Sequence, residues 1–179
     1  MTKLQRETTT STPTITTTSE ERTWAALAHA STLLTLLVGL PTAGLSGMLL
    51  VFIPFLIYLT YRDKSKFVAR QAAQAFTLQI VASTGYFVAL IAGIVVVGVA
   101  WVITVILSFI LIGLILIPVS MLIMVIVFFA LVAFPFAFGT IAIIAAIETT
   151  NSRDYRYPYI GVWVEAWLDE HEAAPAAAG

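Results

Sequence analysis

The dominant pattern along the chain is one uninterrupted apolar block. Residues 71–147 contain no Asp, Glu, Lys, Arg or His. A helix crosses the roughly 30 Å hydrocarbon core of a bilayer with about 20 apolar residues, because each residue rises about 1.5 Å. No soluble fold requires an apolar run of this length. The block therefore predicts two or three membrane-spanning helices within an all-α, polytopic membrane bundle.

Two shorter apolar stretches precede this block. Residues 24–40 are apolar except for His29 and scattered hydroxyl side chains, and a turn with one proline and three glycines follows at residues 39–47. Residues 48–61 form the second stretch, which contains Pro54, and a proline inside a helix is expected to kink it. The pattern predicts a helical hairpin ahead of the long block.

These stretches divide the chain into three parts. We expect a disordered threonine-rich tail at residues 1–18, a transmembrane helical domain at residues 19–160, and an interfacial segment with a disordered tail at residues 161–179. Thr18 and Glu21 have the spacing of a capping box, which predicts a helix start near Ser19. Within the domain we expect helices at about residues 22–40, 44–61, 71–108 and 119–148, with a turn or re-entrant segment at about residues 112–120.

The basic residues predict the orientation of the chain in the membrane. The loop before the block carries four basic residues and one acidic residue: Arg62, Lys64, Lys66 and Arg70 against Asp63. Arg153 and Arg156 follow the block. Loops rich in Lys and Arg face the cytoplasm, so we expect four transmembrane helices with both termini cytoplasmic, in the inner (plasma) membrane. The rival count of three spans would place Arg153 and Arg156 on the outer side.

The remaining composition narrows the classes of function. The chain has no cysteine, which removes disulfides and thiolate chemistry, and its net charge of −1 argues against nucleic acid as a partner. The sequence contains no nucleophile elbow, zinc-binding histidine pair, phosphate-binding loop or pair of neighbouring catalytic carboxylates. We therefore expect a non-enzymatic protein without a cofactor or a metal site.

Polar side chains inside the apolar stretches are candidates for function. His29 is the ionisable residue within the first span, and an intramembrane histidine is a functional candidate by default. The alternative is a neutral histidine that forms a hydrogen bond with a neighbouring helix. Gln74 and Gln79, together with Gln71, occupy one sector of the third helix. They could line a polar groove, or they could join helices through hydrogen bonds.

Further candidates concern packing and the segment after the block. Gly85, Ala89 and Gly93 form a ladder of small residues, which predicts close packing against a helix of the same chain. Aromatic residues follow the block among basic ones, which predicts an interfacial belt or a docking site for a partner. The candidate interaction or topology residues outside the spans are Arg62, Asp63, Lys64, Lys66, Phe67, Arg70, Asn151, Arg153, Arg156, Tyr157 and Pro158.

Three stretches of the sequence together carry a resemblance to a family. They read ERTWAALAHASTLL at residues 21–34, YRDKSKFVARQAAQAFTLQI at residues 61–80 and IAAIETTNSRDYRYPYI at residues 144–160. They resemble the Tic-twenty-like family, small bacterial membrane proteins of unknown function related to a chloroplast inner-envelope import component. The resemblance implies four transmembrane helices with cytoplasmic ends. The third and fourth helices look longer than the family pattern, and Thr77 stands where an asparagine is expected.

Two functions follow from these expectations. The first is an accessory or scaffold subunit of a membrane complex, with the lipid bilayer and other membrane proteins or further copies of the chain as partners. The alternative, which the resemblance implies, is a component of protein translocation or conduction. Between Thr84 and Thr140 the Ser and Thr side chains are Thr104, Ser108 and Ser120 alone. A pore needs polar groups along its full depth, so this scarcity favours the scaffold.

Overall fold

The computed structural model describes residues 16–42 and 44–177, with side chains as far as Glu170. Its five α-helices are α1 (Ser19–Gly39), α2 (Ile53–Tyr61), α3 (Lys66–Ser108), α4 (Ile112–Thr150) and α5 (Ile160–Ala177). The predicted all-α class is confirmed for this part of the chain. Residues 1–15 of the predicted disordered tail lie outside the described residues, and the helical segment α5 occupies most of residues 161–179.

Three stretches are long and apolar enough to cross a membrane. They are Ser19–Thr42, Lys66–Ser108 and Ile112–Thr150. A fourth apolar stretch, Leu50–Tyr61, is shorter and comprises a 3₁₀ turn, Leu50–Phe52, followed by α2. The protein therefore has the helices of a membrane protein, while the count of four spans stays a prediction.

The first helix begins where its capping box predicts. The backbone N–H of Glu21 donates to the Thr18 hydroxyl (3.1 Å), and the Glu21 carboxylate accepts from the backbone N–H of Thr18 (2.8 Å). These two bonds satisfy donors that a helix N-terminus otherwise leaves without partners. The helix ends at a turn in which Gly44 has a φ of +93°, a conformation that favours glycine.

The second helix is shorter than expected. It begins at Ile53, whereas the sequence pattern suggested about residue 44, and residues 44–49 form turns. Pro54 stands in the first turn of α2. Backbone N–H groups in the first turn have no acceptor within the helix, so a proline, which lacks this group, is well tolerated there. The expected kink at Pro54 is therefore wrong, because this proline lies in the first turn of the helix and not in its interior.

The third and fourth helices are each far longer than one bilayer crossing. α3 has 43 residues and α4 has 39, so they measure about 65 and 58 Å at 1.5 Å per residue. The turn between them is short, at residues 109–111, and the expected break at residues 112–120 is wrong. α4 continues through Pro118 and Pro135. A proline inside a helix removes one backbone hydrogen bond. In apolar surroundings this costs less than a break in the helix, which would leave several backbone N–H and C=O groups without partners.

The helices form two antiparallel hairpins that pack side by side. α1 packs against α3 and α4, α2 packs against α3, and α5 contacts α3. We call the end of the bundle that holds Ser65 and Arg153 the loop end. There Arg22 donates to Ser152 (3.2 Å) and Ser65 donates to Glu21 (2.6 Å). The start of α1 and the end of α4 therefore lie together.

Alanine side chains allow close packing at several contacts between the helices. The two buried clusters contain Ala25, Ala28, Ala72 and Ala75 in one, and Ala142 and Ala145 in the other. The α1–α2 turn lies beside the middle of α3, since a Cβ atom on Gly44 would be 3.4 Å from the Tyr86 ring. Beyond this level α3 and α4 continue as a pair. We call this part, residues 88–131, the extension.

Candidate functional site at the loop end

A chain of buried polar side chains joins α1, α3 and the segment after α4. We call His29, Gln71, Asp154 and Tyr157 the polar clasp. His29 and Gln71 have no exposed surface and Tyr157 is nearly as buried. The Tyr157 hydroxyl lies 2.9 Å from His29 Nδ1, and His29 Nε2 lies 3.0 Å from Gln71 Oε1. Residues that are far apart in sequence therefore meet in one hydrogen-bonded group.

The partners of Gln71 define the direction of every hydrogen bond in the clasp. Its amide nitrogen donates to Asp154 Oδ1 (2.8 Å) and to the carbonyl of Tyr155 (3.1 Å), so its oxygen is the acceptor. His29 Nε2 must then carry a proton and donate to Gln71. His29 Nδ1 is left as an acceptor for the Tyr157 hydroxyl. The arrangement fits a neutral histidine in its Nε2–H tautomer.

The clasp ends at an ion pair. Arg70 Nη2 donates to Asp154 Oδ2 (2.6 Å), and the Asp154 side chain is only 11% exposed. One turn further along α3, Gln74 accepts from the backbone N–H of Tyr157 (3.2 Å). Three polar residues near the start of α3, Arg70, Gln71 and Gln74, thus bond to the Asp154 side chain and to the backbone of Tyr155 and Tyr157.

A second polar group lies deeper along the same face of α3. The Gln79 amide nitrogen donates to Ser31 (2.8 Å) and Thr32 (3.1 Å), and its oxygen accepts from Thr35 (3.1 Å). Hydroxyl groups of α1 therefore satisfy the buried amide. Of the two interpretations of the glutamines, this geometry favours hydrogen bonding between helices over an open groove.

Burial controls the protonation of the tyrosines in this segment. Burial raises the pKa of Tyr157 well above its ordinary value, and Tyr155 adds to the effect. Burial also raises the pKa of Tyr155, with a contribution from the charge of Glu148. Tyr157 consequently keeps its proton and remains a hydrogen-bond donor to His29 across neutral and moderately alkaline pH.

The charged residues predicted from the sequence surround the clasp in a more exposed layer. Arg62 pairs with Asp63 (3.3 Å), Arg153 with Glu148 (2.9 Å), and Arg156 Nε lies 2.9 Å from Glu165 Oε1. Lys64 lies 5.7 Å from the centre of the Tyr61 ring. Exposed pairs of this kind contribute about 0–1 kcal/mol each to stability.

The other predicted residues fall into three places. Phe67 is buried in the cluster of α1, α2 and α3, while Asn151 ends α4 and Pro158 precedes α5. Gly85 and Gly93 lie against α4, because Cβ atoms there would be 3.1 Å from Phe134 and 2.7 Å from Val127. Ala89 lies between them on the same face by helical register.

Sequence reasoning missed several members of the two polar groups. Ser31, Thr32 and Thr35 were passed over as scattered hydroxyls, and Tyr155 and Asp154 were not singled out as partners of a buried residue. One signal was available: His29, Thr32 and Thr35 recur at helical spacing on α1, as Gln71, Gln74 and Gln79 nearly do on α3. Polar stripes on two adjacent apolar helices indicate that the side chains of one stripe form hydrogen bonds with those of the other.

The arrangement is suited to holding segments together. The hydrogen-bonding atoms of the His29 ring and of the Gln71 amide all have protein partners. Within the described residues, no group of three or more His, Cys, Asp or Glu side chains is placed to hold a metal ion. The clasp fixes residues 154–157, and through them the start of α5, on the helical bundle.

Comparison with known proteins identifies one related family. The model of the magnetosome magnetite crystal formation protein family matches residues 20–164. The expected resemblance to the Tic-twenty-like family is wrong, because the matched family is a different one. No curated protein and no solved structure matches the chain. The match begins within α1 and ends within α5, so it includes every residue of the polar clasp.

Proposed function

The chain belongs to the magnetosome magnetite crystal formation protein family, and from this premise we propose that it is an accessory protein of the magnetosome membrane. In this role it supports the formation of magnetite crystals without catalysing a reaction itself. The observation that carries the proposal is the extent of the match, which covers the helical bundle and the clasp together. The role in translocation or conduction, suggested by the earlier resemblance, has no support from this family.

The working surface in this proposal is the loop end. Two segments meet there: residues 62–70, which lead into α3, and residues 151–159, which lead out of α4. The polar clasp holds them together through Gln71 and Asp154 (2.8 Å) and through Arg70 and Asp154 (2.6 Å). Both segments expose charged side chains at the loop end, and the buried polar clasp fixes the position of their backbones. Such a surface suits the binding of another protein of the same membrane.

The proposed orientation in the membrane follows from charge. Lys64, Lys66, Arg153 and Arg156 belong to the loop end, and basic loops stay on the cytoplasmic side. We therefore place the loop end and both ends of the bundle in the cytoplasm, with α1–α2 and α3–α4 as two membrane-inserted hairpins. The chain is free of cysteine, so a single cysteine at position 64 or 153 should react with a membrane-impermeant maleimide that is added to isolated, sealed magnetosomes, whose outer face is the cytoplasmic one. Labelling of both positions only after detergent has opened the vesicles would reverse this orientation.

Complementation tests the proposed function directly. In a magnetite-forming bacterium whose own family member has been deleted, expression of the chain is expected to restore the size distribution of the crystals, measured by electron microscopy. A variant with Lys64, Lys66, Arg153 and Arg156 all changed to Gln should reach lower levels in the membrane or fail to restore the crystals. If the unaltered chain is present in the membrane and the crystals do not change, the proposal is wrong.

A further inference from the structure

A groove runs between α1 and α2 on the outside of the bundle. At the loop end the two helices meet through Trp24 and Tyr61, whose ring centres are 5.6 Å apart. Further into the bundle the helices border a space of about 480 Å³. We call this space the α1–α2 groove and its loop end the mouth. Its wall is mainly apolar and includes Leu27, Ala30, Leu34, Ile53, Leu56 and Ile57.

The groove has the length and the direction of a lipid chain in one leaflet. Its α1 wall extends from Trp24 to Leu34, which is about 15 Å at 1.5 Å per residue. Half of the hydrocarbon core of a bilayer is also about 15 Å thick. Leu27, Leu34 and Leu56 are between 43% and 60% exposed, and water is a poor solvent for such side chains. An acyl chain that enters at the mouth therefore fits the groove.

Two opposite charges flank the mouth. The Tyr61 hydroxyl donates to Oε1 of Glu20 (3.0 Å), and Nζ of Lys64 lies 5.7 Å from the centre of the Tyr61 ring. Both charged side chains are exposed, so both can reach a bound molecule. The neighbouring charges of Arg62 and Asp63 pair with each other (3.3 Å). The mouth therefore presents one negative and one positive group on either side of an aromatic ring.

The two aromatic rings add a surface that attracts a cation. The Trp24 and Tyr61 rings are inclined to each other by 41°, and they lie beside the Glu20 carboxylate because Tyr61 is hydrogen-bonded to it. A cation within about 6 Å of the centre of such a ring is attracted to its face. An ammonium group next to Glu20 would gain this attraction together with that of the carboxylate.

We propose that the α1–α2 groove binds a phospholipid with an ethanolamine headgroup, whose acyl chain lies in the groove, whose ammonium contacts Glu20 and whose phosphate contacts Lys64. The headgroup carries one charge of each sign, as the mouth does. Its ammonium can donate hydrogen bonds to the carboxylate, whereas the methylated ammonium of choline has no N–H group. The phosphatidylglycerol headgroup has no cation, so its phosphate would leave Glu20 without an opposite charge.

The site rests on the proposed insertion of the α1–α2 hairpin, which places the mouth among the headgroups and the groove in the hydrocarbon. Its preference is the opposite of what the loop end as a whole predicts. Basic segments at a membrane surface attract anionic lipids, and both segments of the loop end contain basic residues. A general attraction would therefore favour phosphatidylglycerol. A preference for phosphatidylethanolamine requires a local carboxylate such as Glu20.

Quenching of tryptophan fluorescence tests the site in the full-length protein. Phenylalanine at positions 101, 163 and 167 leaves Trp24 as the sole tryptophan. The protein is placed in phosphatidylcholine vesicles with a small, equal fraction of phosphatidylethanolamine or phosphatidylglycerol, each brominated near the carbonyl end of one chain, because bromine quenches tryptophan on contact. We expect roughly threefold more quenching by phosphatidylethanolamine, since exposed charge pairs contribute modestly to binding. Equal quenching by the two lipids would overturn the site alone, and no quenching by either would also contradict the insertion of the hairpin.

Removal of the Glu20 charge separates the site from general contact with lipid. Glu20→Gln keeps an oxygen that can accept from Tyr61 and removes the negative charge, so the preference for phosphatidylethanolamine should disappear. Asp63→Asn is the matched control, because Asp63 is also exposed and acidic at the loop end but does not line the groove, and this variant should keep the preference. A preference that survives Glu20→Gln, or that is lost in Asp63→Asn, would overturn the assignment of the ammonium to Glu20.

Discussion

The hydroxyl of Tyr157 lies 2.9 Å from Nδ1 of His29, and this single bond joins the segment after the last long helix to the first one. The histidine has no exposed surface. Its other ring nitrogen is 3.0 Å from Gln71, so α1, α3 and residues 154–157 are tied together at one point. The position of α5 follows from this point because α5 begins three residues after Tyr157.

Removing the Tyr157 hydroxyl should destabilise the bundle. Tyr157→Phe leaves Nδ1 of His29 buried without a donor, and an unsatisfied buried acceptor costs about 1–3 kcal/mol. Thermal unfolding in detergent should therefore show a lower melting temperature. Tyr159→Phe is the control, because Tyr159 is 82% exposed and its loss should change nothing. Equal melting temperatures for the two variants would mean that the clasp contributes no stability.

The raised pKa of Tyr157 predicts a loss of stability at high pH. In the unfolded chain a tyrosine loses its proton near pH 10, whereas burial keeps Tyr157 protonated in the folded protein. Above about pH 10 the unfolded state binds fewer protons than the folded state, so the free energy of unfolding falls as pH rises. Melting temperatures measured between pH 8 and 11 should become more alike for the unaltered protein and Tyr157→Phe as the pH rises. A difference in melting temperature that stays constant up to pH 11 would contradict the burial of the Tyr157 hydroxyl.

The two acidic residues Asp154 and Asp63 should differ in their contribution to stability. Asp154 is 11% exposed and accepts from both Arg70 and Gln71, whereas the Asp63 side chain is 84% exposed and pairs with Arg62 at the surface. Asp154→Ala leaves a partly buried guanidinium and an amide without their acceptor, which should cost about 2–4 kcal/mol. Asp63→Ala should cost less than about 1 kcal/mol. Chemical denaturation in mixed micelles measures the free energy of unfolding of both variants. A larger loss for Asp63→Ala than for Asp154→Ala would contradict the stabilising role of Asp154.

The ladder of small residues predicts a packing defect at Gly93. A Cβ atom there would lie 2.7 Å from Cγ1 of Val127, so Gly93→Leu should force α3 and α4 apart and cost about 1–3 kcal/mol. Ala92→Leu adds a comparable volume on an exposed position of the same helix and serves as the control. If both variants melt at the temperature of the unaltered protein, the ladder does not hold α3 against α4.

Much of the architecture could be predicted from the sequence because its causes are local. The capping box at Thr18 and Glu21 depends on four adjacent residues, and the apolar block determines helices wherever backbone groups must be satisfied internally. The breaks were harder to predict. Gly113 and Pro118 indicate a turn in a soluble protein, yet α4 runs through Pro118 and the turn occurs earlier, with Leu111 at a φ of +66°.

The polar clasp could not be predicted because its members are distant along the chain. The Tyr157–His29 bond spans 128 residues and the Gln71–Asp154 bond spans 83. A sequence shows that a buried histidine and several glutamines need partners. It does not show which partners, because that depends on the register between helices and on where the segment after α4 returns. The charged layer was expected at the loop end, while the buried group beneath it emerged only from the structure.

The most direct test of the proposed function compares crystals formed with an intact and a broken clasp. A magnetite-forming bacterium without its own family member would express the unaltered chain, Tyr157→Phe or Tyr159→Phe, with equal amounts of protein verified in the membrane. Electron microscopy would then measure the size of the magnetite crystals. We expect the unaltered chain and Tyr159→Phe to restore crystal size, and Tyr157→Phe to give smaller crystals. Full restoration by Tyr157→Phe at equal protein levels would contradict the role assigned to the loop end.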